Sequence, residues 1–174
     1  MSVSLVQLEK MQSAGWRKQA LGLGLGLASI APAFAWAAHA MLGLHLHPGQ
    51  WSGWASGFWA WAWVLALAPA LEEWVMRLLL QSGFHEQLGR WGRLHRGRLN
   101  HVLDWRGHIA NGATAVVFAA LHMPANGLMA LWWLLPALAI GEVWRRSASW
   151  MQCALLHAWF NACLVLMTAL GGSA

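Results

Sequence analysis

Two adjacent glutamates, Glu72 and Glu73, stand in one of the most apolar stretches of this chain, with Arg77 one helical turn further on. Before them, residues 59–71 are all Trp, Ala, Val or Leu apart from Pro69, and Leu78-Leu79-Leu80 follow Arg77. An ionised side chain in such surroundings is costly unless paired, so acids within a bilayer are functional candidates by default. The chain has six acidic residues in all, and two of them are placed here. Three further polar residues sit in apolar runs. His122 ends Phe118-Ala119-Ala120-Leu121-His122, and His157 precedes Asn161 by four positions. Four residues make about one turn, so His157 and Asn161 share a helix face and can point into one cavity.

The spacing suggests a division of labour. Glu73 and Arg77 have the i,i+4 relation and the favourable order for an ion pair, in which each neutralises the other. Glu72 is rotated by about 100° from Glu73 and is free to meet the histidines. A carboxylate beside imidazoles can take a proton from water. A second imidazole with an amide on one face can donate hydrogen bonds to a developing oxyanion. Together these groups suffice to hydrolyse an amide with neither a covalent intermediate nor a metal, so no metal or other cofactor is expected.

Other chemistries fit less well. A zinc protease helix needs a pattern such as His-Glu-x-x-His, and His85-Glu86-Gln87-Leu88-Gly89 supplies only its first two residues. A zinc site from His122, His157 and a glutamate has suitable ligand types and is the lesser mechanistic alternative. Asp104 is the only aspartate, which excludes an aspartyl dyad within one chain. Gly53-Trp54-Ala55-Ser56-Gly57 lacks the Gly-x-Ser-Gly spacing of a rhomboid-like serine protease. Intramembrane carboxylates with histidines also make proton relays, so a proton-coupled transporter or channel is the alternative from a different class. A relay does not need a histidine and an amide at i,i+4, whereas an oxyanion site gains from them. Polar residues in bundles also serve as interhelical glue. That reading suffices for any one of the three alone, but it leaves the glutamates without a purpose, as does a scaffold or immunity role.

The elements that must hold these residues follow from composition. Of 174 residues, 59% are hydrophobic and 10% charged, against about 25% charged in soluble domains. The class is an all-α polytopic membrane bundle, because lipid forces backbone groups to be satisfied within each segment. The fifteen tryptophans suit it, since Trp gathers at membrane boundaries. The net charge of +5 is clustered at Lys10, Arg17 and Lys18, at Arg90, Arg93, Arg96, Arg98 and Arg106, and at Arg145 and Arg146. In a membrane protein such clusters mark cytoplasmic loops touching anionic lipid, and no nucleic-acid partner is expected.

Five spans are expected, at about 20–44, within 54–80, at 108–122, 128–144 and 150–170. Pro69 is expected to kink the second just ahead of the glutamates, and Pro124-Ala125-Asn126-Gly127 to break the chain after the third. With the amino terminus inside, the segments 85–106 and 145–149 are also inside. The loops at 45–53 and 123–127 and the carboxyl-terminal tail then face outward, and they hold no Lys or Arg. Gly22 and Gly26 form a GxxxG pair compatible with close helix packing. Ala33-Phe34-Ala35 resembles a signal-peptide cleavage site, but the apolar run continues past it, which favours a retained span. Cys153 and Cys163 fall on one helix, roughly 15 Å apart, too far for a disulfide. The expectation is a single membrane domain, 1–174, with a catalytic core of about 58–170.

Glu72-Glu73-x-x-x-Arg77, Phe118-x-x-x-His122 and His157-x-x-x-Asn161, in this order on successive spans, resemble the three motifs of the CPBP family, the intramembrane glutamic proteases related to CAAX-prenyl proteases and bacteriocin-processing enzymes. The resemblance covers roughly 69–167. It implies that Glu72 activates water with help from His122, that His157 and Asn161 stabilise the oxyanion, and that Glu73, Arg77 and Phe118 support the site. It further implies a multi-pass protein of the cytoplasmic (inner) membrane whose partners are membrane lipids and a protein or peptide with a membrane-associated tail. In its small size the chain is similar to bacterial members that process carboxyl-terminal sorting tails, of the JDVT-CTERM type.

Overall fold

The computed structural model describes residues 5–43, 57–94 and 105–171, and every regular element among them is helical. Helix α1 spans Leu5–Leu42 and ends where Gly43 turns left-handed (φ 61°), its N–H donating to the His39 carbonyl at 3.0 Å. Glycine takes that conformation without a Cβ clash, which is why it so often follows a helix. The expected loop at 45–53, the start of the second span at 54–56 with Ser56, and residues 95–104 of the basic stretch lie outside the described residues.

The second rod, α2, runs without a break through Phe58–Ala62, Trp63–Leu67, Ala68–Glu73, Trp74–Gln81 and Ser82–Leu94, with helical backbone at each junction. The second and fourth of these segments are π-helical. The first π stretch lies just ahead of Pro69, where a missing N–H is expected to disturb the helix.

Helix α3 spans Trp105–Asn126 and carries Pro124 inside it. The break expected over Pro124-Ala125-Asn126-Gly127 falls at its last residue, Gly127 (φ 55°), after which a 3-10 stretch, Gly127–Trp133, leads into α4, Leu134–Ser147. Proline in the last turn removes one bond that fraying can spare, whereas the left-handed glycine redirects the chain. Residues 105–147 therefore form a hairpin. Asn111 Nδ2 donates to the Leu138 carbonyl at 2.9 Å, a contact a straight helix would hold about 40 Å apart. Helix α5 spans Trp150–Gly171.

Three stretches of the described residues are long and apolar enough to cross a membrane, Lys18–Leu42, Trp105–Ser147 and Trp150–Leu170. The outer surface agrees, since Leu21, Leu25, Ile30, Leu155 and Leu166 are all exposed. The interior is built from small residues that let helices approach closely. Ala31, Ala35 and Ala38 of α1 pack against Ile140 and Val143 of α4 and Cys153, Leu156 and Phe160 of α5. The expected GxxxG pair is not part of this seam. Gly22 and Gly26 are exposed, and a Cβ at either would meet nothing. A second cluster joins Met76 of α2, Ala115 and Phe118 of α3 and Ala137 of α4 beneath the polar residues. The two cysteines are reduced, both within α5.

Candidate active site

Helical spacing on α2 sets three polar side chains in a column. Glu73, Arg77 and Gln81 succeed one another at four-residue steps and are 1%, 1% and 2% exposed, so each must find partners inside the bundle. Arg77 Nε donates to Glu73 Oε2 at 2.6 Å, its Nη1 to Gln81 Oε1 at 2.9 Å and its Nη2 to the Ala137 carbonyl at 3.3 Å. Gln81 Nε2 donates to the Gly141 carbonyl at 3.2 Å. With Asn111 on Leu138, three side chains thus hook one turn of α4, at Ala137, Leu138 and Gly141. The approach requires a glycine, because a Cβ at Gly141 would collide with the Asn111 amide and the Arg77 guanidinium.

The other carboxylate oxygen of Glu73 accepts from His157 Nδ1 at 2.9 Å. The sequence-based division of labour is therefore incomplete. Glu73 does pair with Arg77, but it also orients His157, reaching α5 across the bundle. His157 Nε2 in turn lies 3.7 Å from Glu72 Oε2, so the imidazole stands between the two acids. With Nδ1 committed to Glu73, Nε2 is an acceptor in the neutral ring and a donor in the charged one.

Glu72 differs sharply from its neighbour, with its side chain 34% exposed against 1% for Glu73. It lines a cavity of about 250 Å³ together with Trp63, Ala68, His122, His157 and Asn161, while Phe118 and Trp133 complete the wall. The first half of α2 rests on α5, whereas its second half packs against α3 and α4 as well. The cavity occupies the space this leaves between the first half of α2 and the corner where α3 turns.

Helix α3 contributes His122, whose Nδ1 lies 2.8 Å from the Phe118 carbonyl one turn earlier. A carbonyl only accepts, so Nδ1 carries the proton and Nε2 keeps a lone pair in the neutral ring. The Phe118 ring lies 4.4 Å from that of His122 and 5.7 Å, edge-on, from that of His157, spacing the two imidazoles. Among the described residues no three His, Cys, Asp or Glu side chains form a metal-binding group.

Asn161 also does something the sequence did not suggest. Its Nδ2 donates to the Val64 carbonyl at 3.0 Å. In the π stretch Ala68 N–H donates back to Trp63, and residue 69, next in line for Val64, is a proline with no N–H. The buried Val64 carbonyl thus receives from α5 the donor its own helix does not provide. One of the two amide N–H groups of Asn161 is used in this way.

Gln81, Asn111 and Gly141 were missed by sequence reasoning. Gln81 was findable, since it extends the Glu73–Arg77 series by another four residues. Asn111 and Gly141 carried no comparable signal, because their importance depends on the hairpin folding back.

Fold and cavity together define a multi-pass helical membrane protein with two acids, two imidazoles and an amide gathered in its interior. Residues 53–163, which contain all of these side chains, match the family model described as Type II CAAX prenyl endopeptidase Rce1-like, and the chain belongs to that family. It is accordingly a membrane-embedded protease of the CAAX type, working in lipid on a protein substrate. Comparison with curated proteins and with solved structures finds no match.

Proposed function

We propose that the chain is a metal-independent glutamic endopeptidase in which Glu72 takes a proton from the attacking water, with the Nε2 lone pair of His122 assisting. The observation that carries this reading is the contrast between the acids. Glu72 lines the cavity with His122, His157 and Asn161, whereas Glu73 is sealed beneath with Arg77. A general base must reach its proton directly or through one water, and of the two only Glu72 is open to water. His157, held by Glu73 through Nδ1 and donating from Nε2 as the charged ring, and Asn161 are the donors to the oxyanion. Phe118 sets the spacing of the imidazoles.

The substrate is a protein whose tail lies in or on the membrane, a prenylated or sorting tail among the candidates, and the scissile bond is brought to the cavity from the lipid side. The five-span reading is supported by the lengths of α3 and α5, each 22 residues, where about 20 are needed, and by the α3–α4 hairpin. With the amino terminus inside and the carboxyl terminus out, the cavity lies toward the outer face of the cytoplasmic membrane.

The test is cleavage of a tail peptide by purified protein and its Glu72→Gln variant, with and without chelator. The expected result is a loss of about 10²–10⁴-fold in the variant and no effect of chelator. Cleavage retained by Glu72→Gln would remove the base assignment, and inhibition by chelator alone would point to a metal. Proton flux in liposomes that is abolished by the same substitution would favour the transport alternative.

A further inference from the structure

A second cavity lies at the opposite end of α3 from His122, between the end of α2, the start of α3 and the end of α4. It measures about 240 Å³, and its walls include Gln81, Ser82, His85, Gly107, Trp144 and Arg145. From Gly107 to His122 is fifteen residues of helix, on the order of 22 Å, so this cleft is separate from the candidate active site. It lies at the foot of the buried column, where Gln81 closes the series from Glu73.

The charge around it is positive. Arg90, Arg106, Arg145 and Arg146 gather at this end against Glu86 and Glu142. Arg90 is taken by Glu86, and Glu142 is shared between Arg145 and Arg146. Arg145 also meets the His108 ring at 3.0 Å. The Arg106 guanidinium lies over the Trp105 ring, 5.6 Å from its centroid, and reaches toward Gly89 of α2. Trp105, Trp144 and Trp150 mark the level at which tryptophans sit in a headgroup region. Apolar Ile109 on α3 and Leu79 on α2 are exposed on the outer surface of the same two helices.

We infer that this cleft binds the phosphate of an anionic phospholipid, with Arg145 and His85 on the headgroup and the acyl chains on the apolar outer surface of the helices. Arginine suits a phosphate because its planar fork donates along two parallel lines. The tryptophans at this level argue for a lipid phosphate over a free one, since they set the cleft at the headgroup region of membrane-spanning helices. This assignment does not depend on which residue carries the hydrolysis.

The test is native mass spectrometry of the full chain equilibrated with equal amounts of phosphatidylglycerol and phosphatidylcholine, with a parallel arm containing excess inorganic phosphate. Retained phosphatidylglycerol is expected to exceed phosphatidylcholine. Arg145→Gln should lower its retention by about fivefold, as the loss of one cation near a headgroup implies. His85→Ala, which removes a ring N–H donor to the phosphate, should lower it about twofold, and Arg90→Gln, which is outside the cleft and paired with Glu86, should lower it by less than His85→Ala. Should Arg145→Gln fail to fold, the contrast between His85→Ala and Arg90→Gln decides. Equal retention of the two lipids, equal loss in Arg90→Gln, or displacement by inorganic phosphate would each overturn the inference.

Discussion

Replacing Pro69 with alanine should make Asn161 dispensable to the fold. The perturbation is a four-way comparison of the unaltered chain, Asn161→Ala, Pro69→Ala and the double variant. In the unaltered chain the Val64 carbonyl accepts from Asn161 Nδ2 at 3.0 Å, while Ala68 donates one residue further back, to Trp63. Val64 is 4% exposed, so water cannot substitute for the amide. An orphaned buried carbonyl costs about 1–3 kcal/mol, and that is the expected loss in Asn161→Ala. Pro69→Ala supplies a backbone N–H at the i+5 position that a π turn uses. It also forfeits about 0.4–1 kcal/mol of the chain stiffness that proline confers. In that background Asn161→Ala should cost under about 0.5 kcal/mol, a coupling of about 1–2 kcal/mol, well above the scatter of additive pairs. The assay is equilibrium unfolding in mixed micelles, followed by helical signal, with peptide cleavage measured on the same samples. Cleavage separates the two roles of the amide. A donor to the oxyanion is worth about 10²–10³ in kcat, and its loss cannot be repaired from residue 69. A clamp on α2 can be. Additive stability losses would refute the clamp, and cleavage restored in the double variant would refute the oxyanion role.

Two further outcomes follow from the buried column. Arg77→Gln leaves Glu73 without its guanidinium in a site 1% exposed, and the loss of stability should be about 3–5 kcal/mol, read by the same unfolding assay. A smaller loss in Arg77→Gln combined with Glu73→Gln would show that the stranded charge is the cause. Gly141→Ala places a methyl group against the Asn111 amide and the Arg77 guanidinium and should cost about 1–3 kcal/mol, as overpacking does. Full stability in that variant would mean that α4 stands further from α2 than the structure has it.

Much of the candidate site was legible along the chain because it is built on helical spacing. Glu73 to Arg77, Phe118 to His122 and His157 to Asn161 are each one turn apart, and one turn sets two side chains on one face wherever the helix goes. What spacing could not supply was the partner across the bundle. His157 and Asn161 share a face, and that face was expected to point at substrate. In the structure His157 is held by Glu73 and Asn161 reaches Val64, contacts spanning 84 and 97 residues. The hairpin break lies within the expected 124–127, but which of its residues makes it was not legible. Pro124 is the stronger local signal, but a helix's last turn tolerates a missing bond, and the left-handed backbone at Gly127 is a property of the folded turn.

The sequence by itself determined that this is an all-helical membrane protein and which few residues are candidates for its chemistry, because apolar length and intramembrane charge are local quantities with steep energetic costs. Only the tertiary structure decided how far each glutamate is buried and that His157 stands between them. They are neighbours with the same chemistry, and the chain separates them only by giving Glu73 a cation at i+4, Arg77, and Glu72 none. Packing does the rest. Glu73 is turned into the seam between α2, α4 and α5, where Arg77 and His157 satisfy it, while Glu72 is left on the wall of a cavity because the first half of α2 stands away from the turn of α3.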